Sequence, residues 1–264
     1  MSLRLRTERL LVILKRELKV KASYRTTAAL GGISVFVGLL SYGFLGNTAE
    51  TSATTQSYGM SLTAFLVSGI AFSSIITNGV GMFYQYANPG QIEEVLVTPT
   101  SFREYVLSSS LLNILLGLGS AALLFLLGIL LLGLSYSYNL PLLVTIIALG
   151  VASSIGLGFI GLGFQLVYKQ TYFISWLFYS LGGLVGNMIV PVQILPGILQ
   201  LVSYLTPQYY FFTGIRIALG GSGTSTDWIL ATFGMYSAIL LIVGLLVFDR
   251  GLRFVQRNGT HRWT

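Results

Sequence analysis

Long uncharged apolar stretches alternate with short charged segments along the chain. Asp, Glu, Lys and Arg are all absent from the intervals 26–49, 51–92, 105–168, 170–215 and 228–248. A helix needs about 20 predominantly apolar residues to cross the hydrocarbon core of a bilayer. Each interval is long enough for at least one crossing. The pattern therefore predicts an all-α polytopic membrane protein.

Turn signals divide the longest interval into two spans. The sequence SYSYNLP, residues 135–141, places polar residues directly before Pro141, and such a cluster marks a turn. We expect a single transmembrane domain over residues 1–264. The pattern predicts six transmembrane helices, at residues 28–46, 60–84, 104–133, 141–167, 171–190 and 228–248.

The distribution of basic residues predicts the orientation of these spans. With six spans, Arg216 lies on one side of the membrane and every other Lys and Arg lies on the opposite side. The positive-inside rule makes that second side cytoplasmic. We therefore expect a multi-pass protein of the plasma membrane with both termini in the cytoplasm.

The segment before the first span, residues 3–24, is amphipathic. Leu10, Leu14 and Leu18 recur at helical spacing among basic residues. This pattern favours a helix that lies in the cytoplasmic membrane interface. The alternative is a basic orientation signal that happens to be helical.

Composition excludes several classes of function. The chain is 54% hydrophobic and 9% charged, and its mean hydropathy is +0.79. It contains no cysteine and one histidine, His261, so thiolate metal sites and Ser–His–Asp catalysis are excluded. It has no GxxxxGK[ST] loop for binding ATP. We expect a non-catalytic chain with no metal and no cofactor of its own. The net charge of +7 lies mainly at the chain ends, which favours a membrane surface over nucleic acid.

One glycine motif suggests a nucleotide site but sits in the wrong context. GLGFIG, residues 156–161, formally matches GxGxxG, yet it lies inside an apolar run with no acidic residue until Asp227. Small residues in a membrane helix let a neighbouring helix approach closely. We predict that role for Gly156, Gly158, Gly161 and Gly163.

A few amides interrupt the apolar stretches. They are Asn78, Gln85, Asn113, Gln165, Asn187 and Gln193. The favoured interpretation is that each makes an interhelical hydrogen bond. The alternative is a transport pathway, for which Asn78, Asn187 and Gln193 are the candidates.

The most definite interruption is NPGQIEEVLVTPTSFREY, residues 88–105. Pro89 suits the first turn of a helix, and the helix dipole favours Glu93 and Glu94 near its N-terminal half. Pro99 then ends this helix, and SFRE opens the next one as a capping box of Ser101 and Glu104. The segment predicts a short cytoplasmic helix that docks a partner. The alternative is an ordinary interhelical loop.

At this point the sequence resembles the ABC-2 type transporter permeases, the six-span membrane subunits of ATP-binding cassette exporters. NPGQIEEVLVTPTSFREYVLSSSL is similar to the family pattern Gly-x-x-Glu-x-x-x-x-[ST]-Pro, with Gly90, Glu93, Thr98 and Pro99 at its fixed positions. The second match is VPVQILPGILQLVSYLTPQYYFFTGIRIALGG, residues 190–221, which is similar to a Pro-rich element between spans five and six.

The resemblance implies a role for each of these regions. Residues 89–98 would be a coupling helix that enters a cleft on a separate ATPase subunit, which the N-terminal interfacial helix would also contact. Residues 192–218 would be re-entrant helices that gate the outer exit. The implied coupling residues are Pro89, Gly90, Glu93, Glu94, Leu96, Thr98, Pro99 and Arg103. The implied outer-gate residues are Pro191, Pro196, Pro207, Tyr209, Tyr210 and Arg216.

The expected function is ATP-driven export of a hydrophobic or amphipathic substrate such as a drug, lipid or glycan. The implied partners are an ATP-binding cassette ATPase that carries ATP and Mg²⁺, membrane lipids, and a second copy of the chain or a related permease. A secondary carrier or a channel without an ATPase stays an alternative. We expect Arg216 to snorkel to the lipid headgroups, and YYFF, residues 209–212, to lie in an interfacial aromatic belt or to form an aromatic surface for substrate.

Overall fold

The computed structural model describes residues 12, 15, 16, 18, 19, 23–48, 58–81, 102–168, 180, 182–223 and 225–258. This part of the chain is helical and contains no strand. Its elements in chain order are α1 (Arg25–Thr48), α2 (Leu62–Gly81), α3 (Phe102–Leu132), α4 (Leu140–Tyr168), a 3₁₀ turn (Val192–Ile194), α5 (Gly197–Tyr204), α6 (Pro207–Ala218) and α7 (Thr226–Asn258).

Five of the predicted spans coincide with helices of the structure. Within the described ranges, four helices are long and apolar enough to cross a membrane: α1, α3, α4 and α7. The apolar part of α2, Leu62–Asn78, is shorter. The predicted turn at SYSYNLP is confirmed, because residues 133–139 separate α3 from α4 and the Asn139 side chain accepts a hydrogen bond from the backbone N–H of Leu142.

The predicted span 171–190 is wrong at its C-terminal end. Half of this stretch lies outside the described residues, but residues 185–190 form a turn and bends rather than a helix. Asn187 adopts a φ of 61° there, which an α-helix does not permit. The predicted interfacial helix at 3–24 lies largely outside the described residues. The predicted coupling helix at 89–98 lies wholly outside them.

Helices α4 and α7 form the most extensive helix pair of the fold. A Cβ on Gly156 would lie 2.5 Å from the carbonyl oxygen of Leu240, and one on Gly244 would collide with the carbonyl of Gly156. One heptad further on, a Cβ on Gly251 would lie 2.6 Å from the carbonyl oxygen of Gly163. The two backbones therefore touch, and the packing role predicted for Gly156 and Gly163 is confirmed.

The register of this seam is constant along both helices. Ser237 of α7 donates a hydrogen bond of 3.0 Å to the carbonyl of Leu149 on α4. Gly156 meets Gly244, and Gly163 meets Gly251, at the same sequence offset. The residue numbers of the contacting positions increase together along α4 and α7, so the two helices run parallel. Their spacing of seven residues matches a left-handed crossing. Close glycine contact of this kind makes α4 and α7 one stiff unit.

Helix α6 is surrounded by the rest of the bundle. It packs against α2, α4, α5 and α7. Phe211 lies on Gly150 of α4, where a Cβ would overlap its ring. Phe211, Phe212 and Ile215 are buried in the largest apolar cluster of the described structure. Helix α6 thus lies where the α4–α7 pair meets α2, and α2 also packs directly on α4.

Candidate functional site

The irregular segment 185–190 rests directly on α2. Gly69 allows this approach, because a Cβ at that position would collide with the carbonyl oxygen of Met188. The backbone of Asn187 turns in the left-handed region at φ 61°. Asparagine tolerates this conformation better than most residues. The turn directs the carbonyl groups of Asn187 and Met188 towards α6, where Arg216 donates hydrogen bonds to both.

The guanidinium of Arg216 holds this turn. It donates hydrogen bonds to the carbonyl oxygens of Asn187 and Met188, the latter at 2.9 Å, and to that of Phe65 in α2 at 3.2 Å. Its Cζ lies 3.4 Å from the centroid of the Phe65 ring and 5.8 Å from that of Tyr58. We call Arg216 together with these three carbonyl groups the arginine clamp.

The arginine clamp is buried inside protein. Arg216 is 1% exposed, so the snorkelling interpretation is wrong: the side chain turns inward to carbonyl groups instead of outward to headgroups. None of its hydrogen-bond partners in the described structure is a carboxylate, and its Nε has no acceptor. Carbonyl dipoles and two aromatic rings therefore stabilise the charge where water would otherwise do so.

The side chain of Asn187 forms a second connection through the same turn. It accepts a hydrogen bond of 2.9 Å from the Tyr58 hydroxyl and donates one of 2.9 Å to the Thr213 hydroxyl of α6. Asn187 therefore makes hydrogen bonds across the fold, but it does so from a turn and not from the helix that the interhelical interpretation expects. Asn187 is fully buried with both ends of its amide engaged.

The other two pathway candidates lie elsewhere. Asn78 donates to the carbonyl of Ser74 in its own helix and lies against Gly117 of α3. The Gln193 side chain is exposed on the 3₁₀ turn. Neither Asn78 nor Gln193 contributes to the hydrogen bonds described for Asn187, and the pathway role of the three amides stays a prediction.

The three prolines among the implied outer-gate residues each stand at the start of a helical segment. Pro191 precedes the 3₁₀ turn, Pro196 precedes α5, and Pro207 is the first residue of α6. Proline fits these positions because the first turn of a helix does not use its N–H. The gating role of these segments stays a prediction.

Tyr209 and Tyr210 lie in the interior of the described fold. They are 7% and 4% exposed, and the Tyr210 hydroxyl donates to the carbonyl of Tyr204 at 2.8 Å. The ring of Tyr210 also stacks on Tyr236 of α7. The interpretation of YYFF as an interfacial belt or substrate surface is therefore wrong for this chain. Its rings are core residues that fix α6 against its neighbours.

The end of α6 ties the arginine clamp to the connecting loops. The N–H of Gly220 donates to Ile217 and that of Gly221 donates to Arg216, a Schellman ending made possible by a φ of 89° at Gly220. Ser222 then donates to the carbonyl of Tyr58 at 2.8 Å. The loop after α3 joins the same unit, because the N–H of Asn139 donates to Ala218.

A cavity of about 600 Å³ opens beside this unit. Ser61, Ala64, Tyr136 and Leu219 are among its lining residues. The hydroxyl of Tyr136 donates to the carbonyl of Ala64 at 3.2 Å. Burial raises the pKa of Tyr136 above its ordinary value, and the nearby charge of Arg216 opposes that shift only in part. The phenol thus stays neutral at physiological pH.

Sequence comparison places this arrangement in a known family. The family model described as ABC-2 type transporter matches residues 8–219. The chain belongs to the ABC-2 type transporter family. The match includes α1 to α6 and the whole arginine clamp. No curated protein sequence matches the chain.

Membership in the ABC-2 type transporter family fixes the general role of the chain. It is a membrane permease of the ABC transporter class and a transport subunit rather than a catalyst. In this family ATP is hydrolysed by a separate subunit, and the permease is a multi-pass membrane protein. The implied coupling residues from Pro89 to Pro99 lie outside the described residues, as does the side chain of Arg103.

Sequence reasoning missed most residues in and around the arginine clamp. Phe65 of the clamp and its neighbours Tyr58, Gly69 and Thr213 carried no visible signal, because each is an ordinary residue of an apolar helix or its flank. Arg216 did carry one. A single arginine within a long apolar region needs acceptors, but nothing in the sequence shows that these are backbone carbonyl groups of residues 65, 187 and 188.

Proposed function

We propose that this chain is the permease subunit of an ATP-driven exporter of hydrophobic or amphipathic molecules. In this proposal two copies pair in the plasma membrane, each with one ATPase subunit, and both termini face the cytoplasm. Membership in the ABC-2 type transporter family supports transport driven by a separate ATPase. The arginine clamp supports an outer gate.

The position of α6 supports a mechanical link between the α4–α7 pair and α2. Helix α6 packs on the α4–α7 pair, and Arg216 of α6 grips carbonyl groups of α2 and of residues 187–188. A displacement of α4 and α7 against α2 therefore strains the arginine clamp. We infer that the clamped arrangement is the closed gate, and that opening requires Arg216 to exchange or release its carbonyl partners.

ATP binding would supply that displacement through the segment 89–98. A docking element shifts the equilibrium of a bundle only if the nucleotide states of the ATPase hold it differently. Glu93 and Glu94 are the proposed contact residues, with ATP and Mg²⁺ bound by the partner. The stiff glycine seam of α4 and α7 suits a unit that moves as a body.

Purification of the tagged chain from its native membranes in mild detergent tests this function. We expect a P-loop ATPase to copurify in near-equal amount and to be lost in the double variant Glu93→Lys and Glu94→Lys. Asp227→Lys provides a charge-reversal control: it reverses one acidic charge, where the double variant reverses two, at the first turn of α7, and it should retain the ATPase.

The possible outcomes separate the parts of the proposal. Retention of the ATPase in the double variant would place its main contact outside Glu93 and Glu94 while leaving the exporter intact. Absence of any ATPase, under conditions that preserve a known complex of this kind, would contradict ATP-driven export. An ion-coupled carrier would then be tested by uptake into proteoliposomes along an imposed ion gradient.

A further inference from the structure

The last turns of α7 carry a basic stripe that the transport proposal does not use. Arg250, Arg253 and Arg257 are exposed and line a groove of about 430 Å³ together with Phe254. At about 100° per residue, these four side chains fall within a sector of roughly 100° on the helix. We call this set the α7 arginine stripe.

The α7 arginine stripe faces away from the helix bundle. Gly251 and Val255 are buried on the other side of α7, and Gly251 lies against Gly163 of α4. Packing thus fixes the rotation of α7 and leaves the three guanidinium groups outside the described part of the fold. A face that points away from the other described helices at the end of a span meets lipid headgroups, a partner or water.

The length of α7 places the stripe at the depth of lipid phosphate groups. The uncharged stretch 228–248 is long enough to cross the hydrocarbon core of about 30 Å. At a rise of 1.5 Å per residue, Arg250 and Arg253 lie about 3 and 8 Å beyond its end. Headgroups occupy roughly 5 to 8 Å on each side of the core. Arg253 therefore lies at the outer edge of this layer, and Arg257 lies about 14 Å beyond the stretch, from where its long side chain can extend back towards the phosphate groups.

The chemistry of the stripe fits a phosphodiester. Guanidinium groups bind phosphate oxygens through two parallel hydrogen bonds, and the exposed ring of Phe254 between them suits the upper part of an acyl chain. Asp249 adds one negative charge next to the stripe, against three positive ones. We propose that the α7 arginine stripe binds the headgroup of an anionic phospholipid.

Native mass spectrometry of the purified full-length chain tests this site. The probes are phosphatidylglycerol and phosphatidylcholine with identical acyl chains, added at increasing concentrations in detergent. We expect adducts of phosphatidylglycerol at lower lipid concentration than adducts of phosphatidylcholine. The triple variant Arg250→Gln, Arg253→Gln and Arg257→Gln should weaken phosphatidylglycerol binding by at least about tenfold, since each basic residue near an anionic surface contributes roughly fivefold.

A second triple variant separates a site from a general effect of charge. Lys15→Gln, Arg16→Gln and Lys19→Gln remove the same charge from exposed positions near the N-terminus. If the α7 arginine stripe is the site, phosphatidylglycerol binding should fall clearly more in the α7 variant than in the N-terminal variant. Equal losses in the two variants, or unchanged adducts in the α7 variant, would overturn the proposal.

A conservative variant and a second readout complete the test. Arg250→Lys, Arg253→Lys and Arg257→Lys keep the charge but lose the paired hydrogen bonds, so this variant should bind phosphatidylglycerol more weakly than the unmodified chain and more tightly than the Gln variant, and it shows whether changes at these positions disturb folding. If the Gln variant loses the ATPase of the transport complex while its phosphatidylglycerol adducts persist, the stripe binds protein and the lipid proposal is wrong. The lipid result does not depend on the transport function.

Discussion

The guanidinium of Arg216 lies over the ring of Phe65, with its Cζ 3.4 Å from the ring centroid, and it donates to the carbonyl oxygen of the same residue. One residue of α2 thus supplies both an aromatic face and a hydrogen-bond acceptor. Two further carbonyl groups, of Asn187 and Met188, complete the coordination. The fold of the 185–190 segment and the burial of this charge depend on each other, which gives the first prediction.

Replacement of Arg216 by lysine should destabilise the protein although the charge is retained. An ammonium group cannot donate in the fork geometry that serves three carbonyl groups, and it does not stack on Phe65. We expect the free energy of unfolding to fall by about 2 kcal/mol or more, because buried acceptors are left unpaired. Denaturant unfolding in detergent, followed by helical circular dichroism, measures this change.

Arg253→Lys is the control for that experiment. Arg253 is exposed on α7, so its replacement should alter the free energy of unfolding by no more than about 0.5 kcal/mol. Similar effects of the two substitutions would contradict a structural role for the arginine clamp.

Gly69→Ala should displace the segment that Arg216 holds. The new methyl group would collide with the carbonyl of Met188, and overpacking of this kind costs about 1 to 3 kcal/mol. Gly119→Ala in α3 meets open space and should stabilise the helix by about 0.5 to 1 kcal/mol. Melting temperatures of both variants should therefore shift in opposite directions. A gain of stability in Gly69→Ala would show that residues 185–190 do not rest on α2.

Gly244→Ala should weaken the seam between α4 and α7. Its Cβ would meet the carbonyl of Gly156 in a contact between backbones that cannot adjust independently. We expect a loss of about 1 to 3 kcal/mol in thermal or denaturant unfolding. Gly234→Ala, on the same helix but with no neighbour near its Cβ, should be neutral or stabilising. Equal effects at both positions would refute the close packing described for this pair.

Two substitutions of Asn187 separate its backbone from its side chain. Asn187→Gly and Asn187→Ala both remove the hydrogen bonds to Tyr58 and Thr213. Only alanine also adds strain at a φ of 61°, which amounts to about 1 to 2 kcal/mol. The glycine variant should therefore unfold at higher denaturant concentration than the alanine variant. Identical midpoints would mean that the turn relaxes to an extended backbone once the side chain is lost.

Spans with a uniform apolar pattern could be predicted from the sequence to within a few residues. The predicted spans 28–46 and 141–167 lie inside α1 and α4, because a continuous apolar stretch between charges leaves few alternatives in a membrane. The predicted span 171–190 was wrong at its end. The end of this span contains Gly182, Gly183 and Gly186, which the apolar pattern accepts as part of a helix. Only the residues packed against them in the fold decide whether the helix continues.

The sequence by itself determined the class of protein, the positions of most helices and the breaks at Pro191, Pro196 and Pro207. These features follow from local chemistry: the length of apolar runs and the missing N–H of proline. Tertiary structure alone decided that Arg216 is buried on carbonyl groups, that Tyr209 and Tyr210 are core residues, and that Gly156 meets Gly244. Each of these depends on which distant segment lies opposite, and in a chain so uniformly apolar the hydrophobic pattern does not distinguish one neighbour from another.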